Sequence, residues 1–284
     1  MARELKLEDM EHLLVIVPHQ DDEILLGGGL IYELLKQNKR VTVTVVTNGD
    51  CDCADYTKGR KRLRETLAGL LALGLPAENV VFLGYADTGM ASEESFLTAL
   101  YNAGDGDKVF PSPVSSVTYG LEEKKDFHYQ CFGQHGIYSR NTLMEDLREL
   151  FRRLRPDTVV TTHHSDLHGD HEALFYFVRD VLKELKEEMS PRLFVGMVHS
   201  SEGDDTWPLR GTPVYTCPKG LDQGELDWDK RQILPMREEL RGGLREGNLK
   251  YEALKKYETA LEPEAIDYLM SFVKDEEIFW EIFI

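Results

Sequence analysis

Apolar positions fall into short unbroken runs that alternate with longer stretches carrying a helical stripe. Leu13-Leu14-Val15-Ile16-Val17 has no polar interruption and three β-branched members, which predicts a buried strand. From Glu23 to about Gln37, Ile24, Leu25, Leu30, Ile31, Leu34 and Leu35 trace one helical face, interrupted by Gly27-Gly28-Gly29. Each glycine costs a helix interior about 1 kcal/mol relative to alanine, so close packing of this turn against a neighbour is expected. Val41 to Thr47 alternates valine and threonine and ends at Asn48-Gly49-Asp50, a second strand. Arg60 to Gly74 reads as a helix with Leu63, Leu67, Leu70 and Leu71 on one face, and Asn79 to Leu83 as a third strand. The β-α-β-α-β order implies right-handed crossovers and an α/β fold whose mostly parallel sheet carries helices on both faces.

Periodicity fails from Gly84 to about Arg140, where glycines, prolines, tyrosines and histidines crowd together. A stretch of this length without elements is expected to be an insertion bordering a site. Its tyrosines, Tyr101, Tyr119, Tyr129 and Tyr138, can stack on a sugar or fill a local core, and the core reading is preferred. Regular pattern resumes with a helix at Thr142 to Leu154, a fourth strand at Thr158 to Thr162, a helix from about Glu172, and a fifth strand at Arg192 to His199. Ser200 to Asp229 is loop-rich. A helical C-terminal region follows at about 229–284, with a stripe at Leu249, Ala253, Leu254, Tyr257 and Leu261 and a further helix from Pro263. The apolar end, Ile278 to Ile284, must be docked, either on the chain's own core or at a subunit interface. The whole of 1–284 is expected to be one domain with an insertion at about 84–140.

Charge narrows the choice of partners. With 33 Lys+Arg against 51 Asp+Glu, the formal net charge is -18, so nucleic acid and anionic membranes are repelled and neither is expected as a partner. The acids are scattered, as on a solvated surface. Four cysteines, Cys51, Cys53, Cys131 and Cys217, have the spacing neither of a disulfide framework nor of a four-cysteine zinc site, which fits a reducing compartment. No apolar run approaches the roughly 20 residues that span a bilayer, and the first ten residues are charged; a cytoplasmic protein is the expectation.

The candidate chemistry sits where two strands end. After the first strand come Pro18-His19-Gln20-Asp21-Asp22, and the fourth runs into His163-His164-Ser165-Asp166-Leu167-His168-Gly169-Asp170-His171. Taken alone, the first turn has two open readings: Asp21 and Asp22 N-cap the helix, or the imidazole and carboxylates hold a divalent metal. In a parallel sheet both turns share the C-terminal edge, where such folds keep their sites. Together they offer three ligands and an open position, the arrangement of a catalytic zinc: His19 and Asp22, with a histidine from the second cluster. Asp21 is left to take a proton from metal-bound water. His168 can polarise a carbonyl or protonate a leaving group, with Asp170 available to fix its tautomer. His163 and His164 end a strand, where alternate side chains face opposite ways, so at most one is expected to look into the site.

Pro18-His19-Gln20-Asp21-Asp22-Glu23, Thr47-Asn48-Gly49, Arg62-Leu63-Arg64-Glu65 and His168-Gly169-Asp170-His171, in this order and spacing, resemble the PIG-L/LmbE-like family of zinc-dependent N-deacetylases. The resemblance implies a Rossmann-like sandwich, with His19, Asp22 and His171 as zinc ligands, Asp21 as general base and His168 as the oxyanion-stabilising residue. It also places Arg62 near the substrate. Asp87, in Asp87-Thr88-Gly89-Met90, is similar to a sugar-facing aspartate of the mycothiol-pathway deacetylase. Two positions depart from the pattern: Gln20 replaces the family's usual proline, and Asp166 stands where the mycothiol enzyme has a tyrosine, which leaves the proton donor to the departing group unassigned.

The function implied is hydrolysis of an N-acetyl group from an N-acetylglucosamine-type amino sugar or its conjugate, with Zn²⁺ as cofactor and Fe²⁺ or Co²⁺ compatible with the same ligands. A homo-oligomer is compatible with the sequence. The alternative is a non-catalytic metal- or sugar-binding module on the same fold. It is disfavoured because the set His19, Asp21, Asp22, His168 and His171 is complete. A nucleotide-binding oxidoreductase lacks its G-x-G-x-x-G fingerprint.

Overall fold

The computed structural model of the protein describes residues 2–203, 205–217, 224–263 and 265–284; part of the loop-rich stretch 200–229 thus lies outside the described residues. In chain order the elements are β1 (Arg3–Glu4), β2 (His12–Val17), α1 (Asp22–Lys36), β3 (Arg40–Thr47), α2 (Thr57–Ala72), β4 (Val80–Tyr85), α3 (Phe96–Tyr101), α4 (Phe127–Phe132), α5 (Arg140–Leu154), β5 (Thr158–Thr161), α6 (Gly169–Glu184), β6 (Arg192–Val195), β7 (Gln232–Pro235), α7 (Leu249–Leu254), α8 (Ile266–Met270) and β8 (Glu276–Ile282). Among the described residues, eight strands form one sheet in the order β1-β7-β8-β6-β5-β2-β3-β4. The run from β6 to β4 is parallel throughout, and β8 pairs antiparallel with both β6 and β7. This is the α/β, mostly parallel architecture expected from the alternation of strand and helix. Every residue of β2 is buried, as a central strand covered on both faces requires.

Four expectations are corrected. The region 229–284 is not wholly helical: β7 and β8 lie in it, and the apolar end joins the sheet of its own chain, with Phe279 and Trp280 buried. The stripe from Leu249 to Leu261 yields only the short helix α7, and the fifth strand stops at Val195. Helix α6 begins at Gly169 rather than near Glu172, which moves Asp170 and His171 from the loop into its first turn. Segment 84–140 contains two short helices, α3 and α4. Three of its tyrosines serve local packing: Tyr138 is buried with its hydroxyl on Gly84 O, Tyr119 donates to Asp50, and Tyr101 stacks on Tyr176, whereas Tyr129 is exposed. No helix of the described residues is long and apolar enough to cross a membrane.

The triple glycine is where α1 breaks. Gly27 leaves helical geometry (φ -139°, ψ 15°), which frees backbone groups on either side. Glu277 of β8 accepts the N–H groups of Gly29 (2.7 Å) and Leu30 (2.9 Å), and Lys250 of α7 donates to Leu25 O (3.1 Å) and to Glu277 (2.7 Å). Gly29 lets the Met236 thioether pack close, since a Cβ there would stand 2.3 Å from Met236 Sδ and would force that side chain to shift. Both charged partners are about 1% exposed. Removing one side of such a pair leaves an uncompensated buried charge, so Lys250→Met is expected to lower unfolding stability by about 3–5 kcal/mol, measured by urea denaturation.

Candidate metal centre

β2 and β5 are parallel neighbours, with Leu13, Leu14 and Val15 beside Thr158, Val159 and Val160, so the chain leaves both strands at one edge. Beyond β2 the turn closes tightly. His19 N–H donates to Asp22 Oδ2 (3.0 Å), Thr47 N–H donates to Pro18 O (2.9 Å), and Asp21 is held at φ 100°, a conformation rare for a residue with a side chain. Beyond β5 the chain returns through His163 to Leu167 and enters α6 with His168 as its N-cap.

Three acceptor atoms converge between the turns. His19 Nδ1 lies 3.4 Å from Asp22 Oδ2 and 3.3 Å from His171 Nε2, and His171 Nε2 lies 3.2 Å from Asp22 Oδ2. Ligands bound tetrahedrally at about 2.0–2.1 Å stand about 3.3–3.4 Å apart, so this triangle has the edge length of one face of a zinc site. The outer ring nitrogens face carboxylates, which orients the lone pairs inward: His19 Nε2 meets Asp170 Oδ2 at 3.1 Å, and His171 Nδ1 lies 3.1 Å from Asp166 Oδ2. The residues therefore fit a divalent metal, with both imidazoles neutral and each braced by an acid.

His168 is close to both rings, but its proton inventory differs. Its Nδ1 accepts the Asp170 N–H (3.2 Å), so the neutral ring carries its hydrogen on Nε2 and has no second lone pair for a metal. Burial lowers its pKa strongly, as do the neighbouring His19 and His171 rings whenever they are protonated, and the ring stays neutral. This arrangement makes a hydrogen-bond donor. It also corrects the part expected of Asp170. The backbone of Asp170 fixes the His168 tautomer, while its carboxylate holds His19 and accepts from Ser95 Oγ and Leu97 N–H.

The electrostatics separate the two neighbouring aspartates. Burial opposes ionisation of Asp22, yet His171 and His19 hold it well below the usual carboxylate range. Asp21 is pushed up to about 7 by burial and by the charge of Asp22, with Arg62 pulling the other way. Burial works against protonation of His19 and His171, but Asp170 and Asp22 raise the first to about 10, and Asp166 and Asp22 raise the second well above its ordinary value. The site thus demands positive charge, which a dication satisfies while releasing those protons.

The centre opens into a cleft of about 350 Å³ whose walls are lined by Asp21, Arg62, Asp87, His168 and His199, with Leu25, Ala260, Ala265 and Leu269 as apolar lining. Arg62 donates to Gln20 O (2.9 Å) and lies 3.6 Å from Asp21 Oδ2. Asp87 is positioned by its own N–H on Asp50 (2.9 Å). Gln20 is fully buried and donates to Thr47 O (2.7 Å), so it ties the turn to β3 rather than reaching the cleft.

His163 and His164 do not diverge as strand alternation predicts. β5 has already ended at Thr161, and both rings pack on Phe175 and reach Glu225, at 3.3 and 3.0 Å. Neither lines the cleft. Because His163 Nδ1 accepts the Ser165 N–H (3.2 Å), its outer nitrogen carries a proton toward Glu225, and the pair is tied to Glu225 by hydrogen bonds.

Several contributors escaped the sequence reading. Asp166, noted there only as a departure, accepts from the N–H groups of His168, Val198 and His199 besides facing His171. His199 lies four residues beyond the end of β6 at Val195 and lines the cleft; a strand expected to run to His199 hides that strand-end position. Glu23 and Tyr257, 234 positions apart, hydrogen-bond at 2.6 Å beneath Asp21, and nothing in the sequence links them.

The family model described as PIG-L, GlcNAc-PI de-N-acetylase, matches residues 14–182. No curated protein matches the chain in sequence. Among solved structures, the N,N'-diacetylchitobiose deacetylase from Pyrococcus horikoshii, in complex with an inhibitor, is similar at 14% identity and a TM-score of 0.55, covering 97% of this chain and 85% of that one. The A40926 pseudoaglycone deacetylase is similar at 16% identity and a TM-score of 0.57, covering 96% and 98%. A zinc-inhibited form of teicoplanin deacetylase is similar at 16% and 0.55, covering 95% and 97%. At these identities the likeness is one of fold.

The tautomers give a direct test of the centre. By metal analysis after dialysis, His19→Ala and His171→Ala are expected to lose the ion, whereas His168→Ala is expected to keep one per chain; loss of the ion from His168→Ala would place that ring among the ligands.

Proposed function

The chain belongs to the PIG-L family, and from that premise we propose that its cleft hydrolyses the N-acetyl amide of an N-acetylglucosamine-type amino sugar, free or as part of a conjugate. The observation that carries this reading is the triangle of His19 Nδ1, Asp22 Oδ2 and His171 Nε2, flanked by a raised carboxyl at Asp21 and a neutral donor at His168. Fold neighbours described as deacetylases of N,N'-diacetylchitobiose and of the A40926 pseudoaglycone support it.

A divalent ion held by His19, Asp22 and His171, Zn²⁺ in our reading and Fe²⁺ or Co²⁺ with the same donors, supplies Lewis-acid polarisation and acidifies water. Asp21 is the base that takes the proton as a water oxygen attacks the acetyl carbonyl. His168 Nε2–H donates to the carbonyl oxygen as negative charge grows on it. When the C–N bond breaks, the proton on Asp21 is available to the departing nitrogen, and acetate and a free amine result. Asp166 is not the donor: it is buried, and its oxygens are occupied by three backbone N–H groups and His171. Arg62 and Asp87 present polar groups for sugar hydroxyls. A cleft of about 350 Å³ is near the lower end for small-molecule sites, so it admits the sugar with its acetamide and leaves the rest of a conjugate outside.

Metal-loaded protein is expected to release acetate from N-acetylated sugars or their conjugates; no release from any of them would overturn the proposal. Asp21→Asn is expected to keep the ion and lose turnover by about 10²-fold or more. The base must be ionised to act, so kcat/KM rises with pH. Asp21 is raised to about 7 and a nearby dication favours its ionised form, so the acid limb is expected at or below about pH 7.

A further inference from the structure

Asp21 has an unusual backbone for a residue with a working side chain. Its φ of 100° is costly, and such a conformation persists only where the surroundings over-determine it. Its carbonyl accepts from the N–H groups of Ile24 and Leu25, and its own N–H is held by a local, buried contact: Asp21 N–H donates to Glu23 Oε2 at 3.0 Å. The other oxygen of Glu23 accepts the Tyr257 hydroxyl at 2.6 Å, and both residues are buried. Tyr257 reaches that position because α2 offers no side chain at Gly69, where a Cβ would stand 2.3 Å from the ring. The chain of contacts therefore runs from Gly69 through the Tyr257 ring to Glu23, and from Glu23 to the one peptide N–H that sets the direction of Asp21.

None of these atoms touches His19, Asp22 or His171 by a hydrogen bond. The metal ligands have their own braces in Asp170 and Asp166. The turn thus has two separate sets of hydrogen bonds, one on the ligands and one on Asp21. We infer that Glu23 and Tyr257 are positioning residues for Asp21, a device that aims the proton-transfer carboxylate into the cleft without taking part in metal binding. This deepens the reading of Asp21 as the base and rests on it. The step assigned to Asp21 needs its carboxylate within hydrogen-bond reach of the attacking water, and a displacement of about 1 Å can cost about 10²-fold in rate.

The test uses Tyr257→Phe, Glu23→Met and Glu23→Gln in the full, metal-loaded chain, with acetate release from N,N'-diacetylchitobiose and N-acetylglucosamine as the activity. Tyr257→Phe and Glu23→Met are expected to lower kcat by about 10- to 100-fold with KM and metal content unchanged. Glu23→Gln keeps a carbonyl oxygen for Asp21 N–H and is expected to recover most of that loss. An activity-independent readout accompanies these: deuterium uptake should rise in the peptide spanning 18–24 and stay at the wild-type level in the peptide spanning 165–175. Wild-type kcat in both Tyr257→Phe and Glu23→Met, beside an inactive Asp21→Asn, would overturn the positioning role alone. Equal losses in Glu23→Met and Glu23→Gln, or a loss of metal with the loss of rate, would also overturn it. Full turnover by Asp21→Asn would instead overturn the reading of Asp21 itself, whatever the exchange data show.

Discussion

The site depends on one adjacency, the parallel pairing of β2 with β5. Neighbouring strands in a sheet run about 4.8 Å apart, so two turns more than 140 residues apart in sequence are delivered to the same edge within side-chain reach. Everything else at the centre follows from where those strands stop. β2 stops at Val17, and the next four residues turn sharply enough to aim His19 and Asp22 at one point and Asp21 at another. β5 stops at Thr161, and α6 takes over at Gly169, which leaves His171 one turn into a helix whose N-cap is His168.

The polar groups gathered there would be costly without compensation, since burying carboxylates and imidazoles is unfavourable unless each has a partner. The partners are arranged so that proton positions discriminate roles among chemically identical rings. Two histidines give their outer nitrogens to acids and face inward with lone pairs; the third gives its inner nitrogen to a backbone N–H and faces the cleft with a proton. Proximity alone does not make that distinction, because ligand atoms of His19, His168 and His171 all lie within 4.8 Å of one another.

Much of this was legible in the sequence because it is local. An unbroken apolar run followed by His-x-Asp-Asp is a statement about one strand and one turn, and the same design recurs at His168 to His171. The alternation of elements was enough for the α/β architecture. What could not be read was set by partners far away. β8 looks like a short apolar segment until β6 and β7 flank it, and periodicity cannot separate a buried strand from a buried helix over so few residues. Neither His163 nor His164 lines the cleft, in keeping with the expectation that at most one would, but strand alternation is not the reason, because β5 is four residues long and ends before them. Gln20 was noticed, but its partner, the carbonyl of Thr47, lies on another strand.

The break in α1 ties the order of synthesis to the order of folding. The N–H of Leu30 finds its acceptor in Glu277, 247 residues later in the chain. At roughly 5–20 residues per second, a ribosome that has just released α1 needs about 12–50 seconds more before that carboxylate exists. During this interval the N–H groups of Gly29 and Leu30 and the carbonyl of Leu25 have only water for partners. The first half of the sheet is thus made early but finished late, and a nascent chain halted before β8 would present its most apolar strands with the adjoining helix incomplete, a state in which chaperone capture competes with native closure.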